Sequence, residues 1–108
     1  MSKYELSYLP LFYDDLLQQV NYIADNLNNP KAANDLVDTV EKAILGRLPN
    51  AESFEQYPTS QKRRYPYYAI YVGEHVIYYV VIDHRIMEVR RILHVKRDRN
   101  KILKGMEF

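Results

Sequence analysis

Residues 67–95 read YYAIYVGEHVIYYVVIDHRIMEVRRILHV, and this stretch decides the fold. From Tyr67 to Val72, and again from His75 to Ile82, almost every residue is β-branched or aromatic, the composition of strands that pack on both sides. The pair Gly73-Glu74 between them is compatible with a tight hairpin turn. Asp83-His84 supplies a second turn, and Arg85 to Val95 forms a last strand. The result is a three-stranded antiparallel meander. Because the first two strands are apolar at nearly every position, the sheet is expected to be covered on at least part of both faces.

Upstream, residues 50–61 have no clear period and scatter Ser, Pro and Thr, which reads as a surface loop. Before that loop two helical patterns follow one another. Phe12, Leu16, Val20, Ile23 and Leu27 form one apolar stripe, with Asp14 and Asp15 expected in the first turn, where the helix dipole favours negative charge. Asn28, Asn29 and Pro30 are a stop and a restart, with Asn29 as N-cap and Pro30 at the first helical position. The second stripe is Ala33, Leu36, Val37, Val40, Ile44 and Leu48, ending at Pro49. So short a connection makes the helices an antiparallel hairpin. Tyr4, Leu6 and Tyr8 alternate with polar neighbours as a short strand does. The expected fold class is therefore α+β: a short N-terminal strand, an antiparallel helical hairpin, then the meander. The segment 100–108 reads as a short helix or a frayed tail.

With 108 residues, one domain spanning 1–108 is expected. No apolar run approaches the roughly 18 residues of a membrane span. The segment Met1 to Leu9 lacks the apolar core of a signal peptide, so a cytoplasmic protein is expected. No cysteine is present, which excludes disulfides and thiolate chemistry, and no cofactor or metal is implied. The net charge of +1 conceals an asymmetry. Residues 1–61 carry four Lys/Arg against nine Asp/Glu, whereas residues 62–108 carry eleven against five. A basic half suits an anionic partner such as nucleic acid or an acidic protein, and is also what a solvated surface looks like. The eleven tyrosines fall mostly at strand positions, where a half-buried aromatic packs well.

Alternation along the last strand puts Met87, Val89, Arg91, Leu93 and Val95 on one side, and Ile86, Glu88, Arg90, Ile92, His94 and Lys96 on the other, unless a bulge shifts the register. Arg91 then falls on the apolar side, where it could pair with a helix carboxylate. Metal-independent RNA cleavage needs a base for the ribose hydroxyl, cations for the phosphate and an acid for the leaving oxygen. His94 with Arg90, Arg97 and Lys96 could supply that set. One His beside several Arg is more often a surface-strand residue than a catalyst. Lys62, Arg63 and Arg64 form a basic cluster before the sheet that could grip phosphate or simply be solvated. His75 and His84, both beside turns, are expected to be solvated. The three glycines are too far apart for a phosphate loop, and the nucleophile turn of a serine hydrolase is missing.

Several strings resemble the RelE/ParE toxin superfamily: Tyr8-Leu9-Pro10, Asn29-Pro30 with Ala32-Ala33, Tyr67 to Val72, Val76 to Val81, and Arg91-Ile92-Leu93-His94 followed by Arg97-Asp98 and Ile102-Leu103. The resemblance covers nearly the whole chain. It implies the toxin half of a type II toxin-antitoxin pair, silenced by a cognate antitoxin in a hetero-oligomer. It also implies one of two targets: the ribosome, where RelE-like members cut mRNA with basic residues plus a Tyr or His, or DNA gyrase, which ParE-like members poison. The ribonuclease pattern carries an Arg near the start of the third strand, where this chain has Val76, and an aromatic near the C-terminus, where it has Ile102 or Leu103. The long helical hairpin and the Arg-Ile-Leu-His ending are more ParE-like. Two alternatives are a degenerate toxin that only binds its antitoxin and a small basic nucleic-acid-binding domain.

Overall fold

A computed structural model describes residues 3–58, 64–96 and 102. Strand β1 (Glu5–Tyr8) leads into helix α1 (Pro10–Asn21), which continues as one π-helical turn, Tyr22–Asn26. Helix α2 (Pro30–Arg47) ends in a 3₁₀ turn, Leu48–Asn50, and strands β2 (Tyr68–Val72), β3 (His75–Ile82) and β4 (Ile86–His94) follow. The strand order is β1-β4-β3-β2. The meander is antiparallel as expected, while β1 lies parallel to β4, so the sheet is mixed.

The turns are dictated by residues that tolerate left-handed backbone. Gly73 has φ +56°, and Asp83 and His84 have φ +53° and +55°, the signs a type I′ turn requires at both central positions. Asn28 takes φ +50° and closes the first helical segment, and the Asn29 side chain accepts a bond from the Ala32 amide at 3.1 Å, capping α2 as its sequence predicts. α1 starts at Pro10, so Asp14 and Asp15 fall in its second turn rather than its first. Asp15 is buried. The π turn adds a residue per turn and rotates the apolar stripe, so Leu27 is exposed rather than packed.

Both faces of the sheet are covered. On one, Phe12, Val40 and Ile44 of the helices pack on Tyr68, Ile70, Val72, Ile77, Tyr79, Met87, Val89 and Ile92. On the other, Tyr57, Tyr65 and Ile102 cover Tyr67, Val76, Tyr78, Val80 and Leu93. Each fully buried aliphatic here contributes roughly 1.5–3 kcal/mol over an exposed one. The stretch expected to be a surface loop is therefore partly structural. Ala51 is completely buried, its carbonyl accepts from the Tyr79 hydroxyl at 2.8 Å, and the Tyr57 amide bonds the Tyr67 carbonyl. The buried tyrosines are core residues, consistent with the structural reading of the Tyr set.

One irregularity governs the site. Along β3 and β4, Tyr79 pairs with Val89 but Tyr78 pairs with Arg91, leaving Arg90 as the extra residue of a bulge. Everything after Arg90 changes side: Ile92 joins the helix-side core with Met87 and Val89, and Leu93 joins the opposite one. Strict alternation therefore does not hold through β4.

Candidate functional site

The bulge sets the geometry of the basic strand. Arg91 reaches α1 and makes a two-pronged pair with Asp15, Nε to Oδ2 at 2.6 Å and Nη2 to Oδ1 at 2.7 Å. The Asp15 carboxylate also accepts from the Ile92 amide at 3.1 Å. These bonds hold the Arg91 guanidinium above its usual pKa, against the opposing effect of burial. Arg91 is thus the partner of a helix carboxylate, as the sequence suggests, although the bulge breaks the alternation behind that expectation. Arg90 turns to the Tyr67 side of the sheet. Its Nε donates to Glu88 at 2.8 Å, its Nη1 lies 3.4 Å from the Tyr67 hydroxyl, and its guanidinium sits 5.7 Å from the Tyr67 ring.

His94, carried past the bulge with Ile92, faces α1. It lines a cleft of about 460 Å³ with Gln18, Gln19, Tyr22 and Lys96. Its Nδ1 accepts from the Lys96 amide at 3.1 Å, and its Nε2 lies 3.4 Å from a Glu74 carboxylate oxygen. Beside it is His75, its direct cross-strand partner; without the extra residue His75 would oppose Leu93 instead. The two rings meet edge to face at 5.5 Å. His75 Nε2 is 3.1 Å from the Gln19 side-chain oxygen. Burial first, then the neighbouring His94, holds the His75 imidazole below its ordinary pKa, with Glu74 opposing.

So the structure separates the proposed set. His94 and Lys96 share a cleft, but Arg90 lies on the opposite side of the sheet. Arg97, Lys62 and Arg63 lie outside the described residues. Arg64 is exposed, its guanidinium 5.4 Å from the Tyr65 ring. The expectation that His75 and His84 are both solvated is half right. His84 is exposed and bonds Glu52 at 2.6 Å, whereas His75 is buried. Glu52 also accepts from Tyr4 at 2.8 Å. Burial alone would raise the Glu52 pKa, but these two bonds outweigh it and hold the carboxyl low. Sequence reading missed His75, Gln18, Gln19 and Tyr22, because neither the bulge that sets His75 opposite His94 nor the packing of the first helical segment beside them has a local signal.

A second concavity, of about 320 Å³, is apolar. Tyr8, Phe12, Tyr13 and Leu16 face Val40, Ile44 and Leu45 across it, pairing the start of α1 with the end of α2 as an antiparallel hairpin requires.

Residues 6–99 match the family described as ParE toxin of type II toxin-antitoxin system, parDE. The chain belongs to this family. It is therefore the toxin component of a type II toxin-antitoxin system, and the family implies a cognate antitoxin partner. A comparison with curated proteins finds no match. Among the described residues of this toxin, no group of three His, Cys, Asp or Glu is placed to hold a metal ion, and no helix is long and apolar enough to cross a membrane.

Proposed function

We propose that this toxin arrests growth by binding DNA gyrase, as the ParE-like mode implies, rather than by cutting mRNA. The observation that carries this reading is the fate of Arg90. A phosphate-binding cation must sit within reach of the base it assists. Arg90 is instead buried against Glu88 and Tyr67, on the opposite side of the sheet from His94. His94 Nδ1 accepts from the Lys96 amide, so to act as a base it would first have to give up that bond. Val76, where a ribonuclease would carry Arg, is completely buried and presents nothing to a substrate.

On this reading the cytoplasm is the site of action, the antitoxin neutralises the toxin in a hetero-oligomer, and surface complementarity rather than a reactive group does the damage. Expression of the chain alone should arrest bacterial growth. The purified protein should inhibit gyrase supercoiling and leave ribosome-bound mRNA intact, and His94→Ala should keep its toxicity. Ribosome-dependent cleavage that disappears in His94→Ala, with the fold unchanged, would sink the proposal in favour of the ribonuclease.

A further inference from the structure

His75 and His94 tie three parts of the chain together. Through Gln19 the pair reaches α1, and through Glu74 it reaches the β2–β3 turn, whose carbonyl at Glu74 also accepts from the Val95 amide at 2.9 Å. Through Nδ1 of His94 it holds the Lys96 amide, where the chain leaves β4. That last bond has a chemical condition. A backbone N–H can donate only to an unprotonated ring nitrogen, so the proton of a neutral His94 must be on Nε2, toward Glu74.

We propose that the His75–His94 pair is a proton-operated latch, which holds Lys96 and the end of β4 beside α1 at neutral pH and releases them on acidification. Adding a proton to His94 places it on Nδ1, turning the acceptor of the Lys96 amide into a donor and abolishing that bond. A proton on His75 places a second cation in a ring 5.5 Å away, at a residue only 8% exposed, where water screens little. The groups that face the pair do little to offset this. Glu74 supplies one carboxylate, 76% exposed and so weak as a partner. Lys96 adds positive charge. From α1 come the neutral amides of Gln18 and Gln19, from the π turn the Tyr22 phenol, and from β2 the apolar Val72, paired with His75. Asp15, one helical turn before Gln19, is already held by Arg91 and the Ile92 amide.

The direction in pH follows. A buried His75 held below its ordinary value binds fewer protons in the fold than in the unfolded chain. The contribution of His75 to the closed fold is therefore fully present above its unfolded value of about 6.5 and is lost as pH falls below it. Release would open the 460 Å³ cleft between His94, Lys96 and α1, whichever cellular target the toxin has.

Amide exchange of the full chain, followed by NMR from pH 7.5 to 5, tests this together with titration of the His75 ring. The protection factor of the Lys96 amide should fall about tenfold relative to that of Val80 over this range, the loss of one hydrogen bond. In His94→Gln, whose side-chain oxygen accepts from an amide at any pH, Lys96 protection should become independent of pH and the His75 midpoint should rise. His75→Phe, read the same way, should reduce the pH dependence if the first variant fails to fold. Lys96 protection that tracks Val80 throughout, or a His75 that titrates at or above 6.5, overturns the latch.

Discussion

In the middle of β4, Arg90 and Arg91 are both buried or nearly so, and each guanidinium is spent on a carboxylate of this same chain: Glu88 for one, Asp15 for the other. Three residues further on, His94 and Lys96 line an open cleft, and Glu74, the carboxylate that meets His94, is largely exposed. Among the described residues of this basic stretch, the end is what offers charge to anything outside the fold. The difference is one of solvation. A guanidinium withdrawn from water must have its partners built in, and once built in they leave little with which to bind a ligand. A half-exposed imidazole or an exposed ammonium keeps its water and can exchange it for a partner.

This contrast can be broken by substitution. The largest effect is expected at Asp15→Ala, which leaves the Arg91 guanidinium buried without its carboxylate and the Ile92 amide without an acceptor. Urea unfolding should show a loss of about 3–5 kcal/mol. A change under 1 kcal/mol would mean that the middle of the strand is no more committed than its end. Arg90→Ala removes one partner each from Glu88 and the Tyr67 hydroxyl and should cost about 1–3 kcal/mol in the same measurement. Smallest is Lys96→Ala, an exposed side chain whose backbone amide, not its ammonium, makes the contact with His94. Its stability should lie within about 0.5 kcal/mol of the wild type. If instead Lys96→Ala destabilises as much as Arg90→Ala, the division of the strand is wrong.

Much of the fold is legible in the residues because the signals are local. Gly73 and Asp83-His84 demand their turns, Asn29-Pro30 starts α2 wherever the rest of the chain lies, and β3 is apolar on both sides because both sides are packed. The pairing of Arg91 with a helix carboxylate is legible too, though not for the reason alternation offers, since Val89 and Leu93 lie on opposite sides of the sheet. The candidate site is less so. Beside a turn, His75 looks solvated, yet it is buried, with the His94 ring and the Gln19 side chain of α1 against it. Asp15 looks like a dipole charge at a helix start, but its work is done 76 positions away in sequence, at Arg91. The role of residues 50–58 as a core element depends on Tyr79 reaching Ala51 across the sheet.

By itself the sequence determined the α+β class, the order of the elements, the caps and turns, and the family, because each follows from residue type and short-range spacing. The tertiary structure alone decided which side of the sheet each basic residue serves. A single unpaired residue, Arg90, reverses the facing of everything after it. Alternation has a period of two residues, so one insertion inverts the pattern, and where the insertion falls is set by pairing with Tyr78 and Tyr79 on the neighbouring strand rather than by Arg90 itself.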